Sequence, residues 1–257
     1  MKKGRRGQVT IFIIIGIIIV ALGVLIYSFY PQIKSVLGGE EKNPPAYIQA
    51  CIEDEITDAI DKLSLQGGSL NPESYILFDD SKVEYLCYTA DYYANCIVQQ
   101  PLLKKHIESE IKTDIQSKVE NCFNMMKESY EKKGYTVDLK TGEERVELLP
   151  KRVAATFNYS LTLTKGDTQK YDSFVVAVSN NLYELVAVAM SIIEWETTLG
   201  DADVANLMIY YHNLKAEKNL RESGEKIYVL TDRNTGDKFQ FAVRSQAWPA
   251  GYAKPII

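Results

Sequence analysis

Residues 9–30 read VTIFIIIGIIIVALGVLIYSFY, and no charged side chain occurs between Arg6 and Lys34. An α-helix rises about 1.5 Å per residue, so about 20 apolar residues cover the roughly 30 Å hydrocarbon core of a bilayer. This run is expected to span a membrane once, with slight tilt. Gly16 and Gly23 are tolerated there, because backbone hydrogen bonds in lipid face no competition from water. They lie seven apart, so the small-xxx-small pairing pattern of membrane helices is missing. Lys2, Lys3, Arg5 and Arg6 precede the run, whereas Lys34 and Lys42 beyond it are balanced by Glu40 and Glu41. The expected orientation keeps residues 1–8 in the cytoplasm and places everything after Tyr30 outside. A cleaved secretory signal is the competing reading. Its apolar core is usually about 7–15 residues and ends in a small-x-small site, and neither feature fits here.

Past a tether expected at residues 31–45, marked by Pro31, Gly38-Gly39 and Pro44-Pro45, residues 46–257 are enough for one domain with its own core or two small ones, and one α+β domain is expected. Hydrophobic residues make up 46% and charged residues 25%, a globular balance that argues against disorder. The net charge of −5 hides an asymmetry, since all four charges of residues 1–30 are positive. The remainder is strongly acidic and repels phosphate backbones, so a nucleic-acid partner is disfavoured.

All four cysteines, Cys51, Cys87, Cys96 and Cys122, fall on the expected outer side, where thiols oxidise. Four cysteines allow three connectivities, and the sequence by itself does not choose among them. Cys87 and Cys96 flank a short polar and aromatic loop, CYTADYYANC, while Cys51 and Cys122 lie beside the apolar stripes of two helices expected to pack together. The expected pairs are therefore Cys51–Cys122 and Cys87–Cys96. Zinc is the alternative, but there is no CxxC pair and neither histidine lies near a cysteine cluster.

Those two helices are the clearest soluble elements. Ile48, Ile52, Ile56, Ile60 and Leu63 recur at helical spacing until Gln66-Gly67-Gly68, and Leu103, Ile107, Ile111, Ile115, Val119, Phe123, Met126 and Tyr130 do so until Gly134. Strict spacing by four drifts around a helix, so the second stripe must wrap or its helix must bend. Between them, short strands are expected near 75–78 and 83–88. Tyr85, Tyr88, Tyr92 and Tyr93 suit either an exposed recognition patch or a cover over the core. From Val146 the period becomes two, giving a hairpin of Val153–Leu163 against Tyr171–Val178 through Lys165-Gly166-Asp167-Thr168. The glycosylation triplet Asn158-Tyr159-Ser160 is expected mid-strand on the polar face. Asn181 and Glu184 resemble a capping box for a helix carrying Leu182, Leu185, Ala189 and Ile193. A helix from Asp201 with Val204, Leu207, Met208 and Tyr211 inward is expected next, then a hairpin of Lys226–Thr231 with Lys238–Arg244. The fold class expected is α+β.

Catalytic patterns fail on inspection. His106-Ile107-Glu108 matches half of a zinc-deaminase signature with no PCxxC to complete it, and reads as a solvated helix face. His212 reads as a partly buried packing residue. Glu194 and Glu196 flank Trp195, but two residues apart on a helix they diverge, so both read as solvated acids. Asp201-Ala202-Asp203 lacks the glycine and glutamate of a calcium loop. No enzyme, cofactor or metal is expected.

Two resemblances add to this. RRGQVTIF resembles the class III signal of archaeal type IV pilin-like proteins, which implies cleavage between Gly7 and Gln8. Such pilins usually carry a glutamate at the fifth mature position, where this chain has Phe12. More widely, the order of anchor, CIEDEITDAI, LQGG, YSLTLTKGDTQKYDSF, NLYELVAVA and VLTDRNTGDKFQFAVR is similar to a family of membrane-anchored proteins of small-genome archaea. That likeness implies architecture and setting, and no activity. The expectation is a single-pass membrane protein displaying a disulfide-linked domain that binds or supports the envelope. Its partners would be membrane lipid through residues 9–30 and an envelope protein or another copy of itself. The alternative is a pilin-like filament subunit.

Overall fold

The computed structural model describes residues 43–249. The apolar run 9–30, the tether up to residue 42 and the Gly7–Gln8 bond lie outside these residues. Helix α1 (Pro44–Ser64) starts at the proline pair, two residues before the expected boundary, because proline suits a first helical turn where its missing N–H bonds to nothing. Its stripe Ile48, Ile52, Ile56, Ile60 and Leu63 is at most 1% exposed. Helix α2 (Leu103–Lys132) packs along it. Each fourth residue advances about 40° beyond a full turn, so the stripe of α2 winds around the helix. Different sectors therefore meet different partners: Ile107 lies against the Gly68 turn, and Phe123 meets Phe157 and Phe174 edge-on, with centroids 6.1 and 5.0 Å apart.

Cys51 and Cys122 join the two helices (Cα–Cα 6.2 Å), and Cys87 and Cys96 close the tyrosine loop (Cα–Cα 5.4 Å). No described cysteine is free.

The middle of the chain departs from the expected hairpin. Six strands, β4 (Thr136–Lys140), β5 (Glu144–Leu149), β6 (Arg152–Phe157), β7 (Ser160–Lys165), β8 (Asp167–Tyr171) and β9 (Phe174–Ser179), form two three-stranded antiparallel sheets, β4-β7-β8 and β5-β6-β9. Each sheet continues into the other along all three passes of the chain, with breaks at 141–143, 158–159 and 172–173. The pairing slips by one residue there, from Phe157↔Phe174 to Leu161↔Tyr171 and from Glu144↔Phe157 to Lys140↔Ser160. Gly142 makes the break possible, since a Cβ on it would come within 2.1 Å of the Asn158 carbonyl oxygen. Asn158 is thus exposed at the break rather than mid-strand.

The third sheet runs β1 (Tyr75–Phe78), β2 (Ser81–Tyr88), β12 (Lys238–Arg244), β11 (Glu225–Asp232) and β10 (Leu214–Leu220), with β3 (Ile97–Val98) also on β2. β12 and β2 pair in parallel, and the rest of the sheet is antiparallel. Asp79 and Asp80, both at positive φ, make the two-residue turn between β1 and β2. The sheet curls so far that its two edge strands meet: Arg221, just beyond β10, lies 5.3 Å from the Phe78 ring of β1. Helix α3 (Leu182–Leu199) covers its convex side, and Val83, Tyr85, Ile227 and Ala242 fill the inside of the curl. The expected capping box does not form. Asn180 Oδ1 instead accepts from Leu182 N (2.8 Å), Asp237 Oδ2 accepts from Asn181 N (2.8 Å), and Glu184 accepts from Lys151 N (3.0 Å). A short helix α4 (Val204–Tyr210) begins at Asp203, whose carboxylate accepts from Ala205 and Asn206 N–H, and Tyr211 beyond it is 51% exposed rather than inward.

The two disulfides close loops of different length, with sequence separations of 71 and 9. Chain entropy then makes the interhelical bridge worth roughly 4 kcal/mol and the loop bridge roughly 3. Urea denaturation of the paired serine variants is expected to show the larger loss for Cys51→Ser with Cys122→Ser; equal or reversed losses would contradict this ranking.

Candidate functional site

The disulfide-closed loop between β2 and β3 is the best-organised exposed feature of the domain. Its backbone is laced to the segment after β12: Thr89 N donates to Arg244 O (3.1 Å), Tyr93 N to Ala247 O (3.0 Å) and Gln246 N to Ala94 O (2.8 Å). Asn95 ties it to the end of α3, donating to the carbonyls of Thr197 (2.9 Å) and Thr198 (3.0 Å), while Cys96 N donates to Ser245 Oγ (3.1 Å). The Arg244 guanidinium donates to Thr89 O and lies 5.2 Å from the Tyr92 ring and 6.0 Å from the Tyr88 ring. Tyr93, at positive φ, sits edge-on to Trp248 at 4.9 Å.

The four tyrosines divide. Tyr85 is buried inside the curl, edge-on to Tyr88 at 5.1 Å, whereas Tyr92 and Tyr93 are 48% and 52% exposed. Ile97 and Leu199, 72% and 74% exposed, lie beside the same loop in sequence or through Asn95. A rigid loop that presents tyrosine at low entropic cost has the physical character of a protein-recognition surface.

A second feature is the open mouth of the curled sheet, a groove of about 400 Å³ lined by Phe78, Val229, Lys238 and Gln240, among others. Gln240 donates across it to Leu65 O (2.6 Å).

Two polar clusters differ from what the sequence leads one to expect. Glu196 is fully buried rather than solvated. Its carboxylate accepts from Lys226 Nζ (2.7 Å) and from the Tyr228 hydroxyl, and its carbonyl accepts from Ser245 Oγ (2.9 Å) and from Gly200 N–H (3.1 Å), Gly200 ending α3 at φ 75°. Lys226 also reaches Asp201 (3.0 Å) and Gly200 O (2.5 Å), and Lys218 Nζ meets both oxygens of Asp201 at 3.0 Å. Burial drives the Glu196 carboxyl above the usual carboxylate range, and the Lys226 charge pulls against it. At Asp201 burial also raises, but the hydrogen bonds from Lys218 and Lys226 prevail and hold it below that range. Glu194 is exposed, as expected.

His106 is half-buried rather than solvated, with Nε2 2.7 Å from Ser69 Oγ, which donates to Glu84 Oε2 at 2.5 Å. Burial raises the Glu84 carboxyl. The hydroxyl stands between the imidazole and the carboxylate, so the imidazole is not oriented by the acid as it is in an acyl-transfer triad. Ser69 is 6% exposed, and the grooves described here are lined by other residues. Glu108 accepts from Leu148 N (2.9 Å), which pins α2 to β5. His212 is exposed in the turn after α4, not packed in a helix.

Among the described residues no group of acids, histidines and cysteines is placed to hold a metal ion, and no helix is long and apolar enough to cross a membrane.

Replacing Lys226 with Met leaves Glu196 buried without its counter-charge, which is expected to cost about 3–5 kcal/mol at neutral pH. A carboxyl raised in the fold stabilises fully below its unfolded value near 4.3 and loses that contribution as pH rises through the folded value. The variant's stability should therefore fall more steeply than wild type between acid and neutral pH; a parallel pH profile would show the pair is not coupled.

Comparison with protein-family models, with curated proteins and with solved structures finds no match to this chain.

Proposed function

We propose that residues 9–30 anchor this protein in a membrane, with residues 1–8 cytoplasmic, and that the α+β domain stands outside the cell and binds a protein of the envelope through the loop that carries Tyr92 and Tyr93. The observation that carries the reading is the pairing of all four cysteines in two disulfides, one of which braces that loop. Disulfides persist in oxidising surroundings, and the basic residues before the apolar run favour the same orientation. The excess of acid beyond residue 30 makes nucleic acid an unsuitable partner. The reading is of a binding or structural part rather than an enzyme.

The second reading, a pilin-like subunit cut between Gly7 and Gln8, is favoured by the segment RRGQVTIF and weakened by Phe12. The likeness to membrane-anchored proteins of small-genome archaea supports the anchored form.

One measurement tests the outward placement and a second separates the two readings. Protease added to intact spheroplasts is expected to release the disulfide-linked domain by cutting the tether; protection until the membrane is opened would refute the outward orientation. Amino-terminal sequencing of the membrane-bound protein is expected to begin at residue 1 or 2, and a chain beginning at Gln8 would favour the filament subunit. The loop is tested by Tyr92→Ala with Tyr93→Ala. Cross-linking of the domain to envelope protein in membranes is expected to drop at least tenfold, with stability changed by no more than about 0.5–1 kcal/mol.

A further inference from the structure

The chain contains one Asn-x-Ser/Thr triplet without proline at its centre, Asn158-Tyr159-Ser160. The fold gives it a particular setting. Phe157 ends β6 and Ser160 begins β7, so Asn158 and Tyr159 occupy the step where the long strands slip register and belong to neither ladder. Tyr159 is turned inward, 2% exposed, with its ring 4.5 Å from that of Phe123 and its hydroxyl donating to Glu144 at 2.5 Å. An inward residue of this size fixes its neighbour outward.

Asn158 is exposed, and its backbone is fully used: its N–H donates to Glu143 O (2.9 Å) and its carbonyl lies against Gly142. The carboxamide takes no hydrogen bond from any described residue. The chain beside it is open as well. Residues 141–143 and 172–173, the other two breaks, are exposed, and the residue facing Asn158 is glycine. The acceptor nitrogen therefore stands on a rigid support, unpaired, with no side chain opposite it.

We propose that Asn158 carries an N-linked glycan. This rests on the extracytoplasmic placement of the domain, since the co-reactant is a lipid-phosphate-linked sugar displayed on the outer side of the membrane. In the transfer, the Asn158 carboxamide nitrogen attacks the anomeric carbon. The N–C bond forms and the bond from that carbon to the phosphate oxygen breaks. The lipid phosphate leaves with the electron pair and takes up the proton lost from the amide. Ser160 supplies the hydroxyl that the triplet requires for recognition.

The test is intact mass and peptide mapping, without reduction, of the protein isolated from its own membranes, in wild type and in N158Q, S160A and S160T. The expected result is a disulfide-linked chain whose peptide spanning residue 158 carries added sugar. That sugar is absent in N158Q and S160A and kept in S160T. Asn158 is exposed and its carboxamide unbonded, so N158Q is expected to fold; S160T supplies a second check through retained modification in a folded chain. A disulfide-linked protein with Asn158 bare overturns the glycan and leaves the outward placement standing. A reduced protein with Asn158 bare overturns both. Sugar that survives S160A lies elsewhere on the chain and overturns the assignment.

Discussion

The apolar seam between α1 and α2 is what the remainder of the domain rests on. All three sheets reach one core through it: α1 touches β9 and β12, and α2 touches β4 and β5. Buried residues from both helices and all three sheets form one continuous cluster, with the group Val83, Tyr85, Ile227 and Ala242 inside the curl standing apart from it. The winding stripe on α2 is the device that permits this. A stripe confined to one face would serve α1 alone, whereas this one turns from α1 toward the aromatic group of Phe123, Phe157, Tyr159 and Phe174. The Cys51–Cys122 bridge sits on that seam and removes much of the freedom the two helices would have to part in the unfolded chain.

Long apolar periodicity is a strong signal, and both long helices, the α3 helix and the closing hairpin were readable from it. The Cys51–Cys122 pair followed from the same stripes, and the Cys87–Cys96 pair from the short loop that the two cysteines flank. β4 and β10 left weaker traces. In TVDLK only Val137 and Leu139 are apolar, and in LKAEKNL the buried face is Leu214 and Ala216, followed by Lys218, whose charge is spent on Asp201. A lysine in such a place looks like solvent-facing chain, because its partner is 17 residues away in sequence. Glu196 failed for the same reason. A carboxylate between helical apolar residues reads as surface unless Lys226 and Tyr228 are known to converge on it from another strand.

The Cys87–Cys96 loop shows the same division. Its tyrosines and flanking cysteines were visible, but what makes it rigid is supplied from residues 244–248 and from the end of α3, about 100–150 positions on. Local sequence announced the composition of the loop and said nothing of its bracing. The Ser69–His106–Glu84 contact likewise joins a turn, a helix and a strand that no spacing rule connects.

The parallel pairing of β12 with β2 bears on how the domain is made. β2 lies near the start of the domain, and β12 is the last strand among the described residues, yet β12 sits between β2 and β11. The early hairpin β1–β2 therefore has no sheet to join until some 150 further residues have emerged, and the 89–96 loop has no brace until the segment 244–247 arrives. Contacts of such long range are slow to close. A chain delivered vectorially across a membrane would hold β2 and the loop from Cys87 to Cys96 open, exposed to oxidising enzymes and to other chains, until β12 slots into the centre of the sheet.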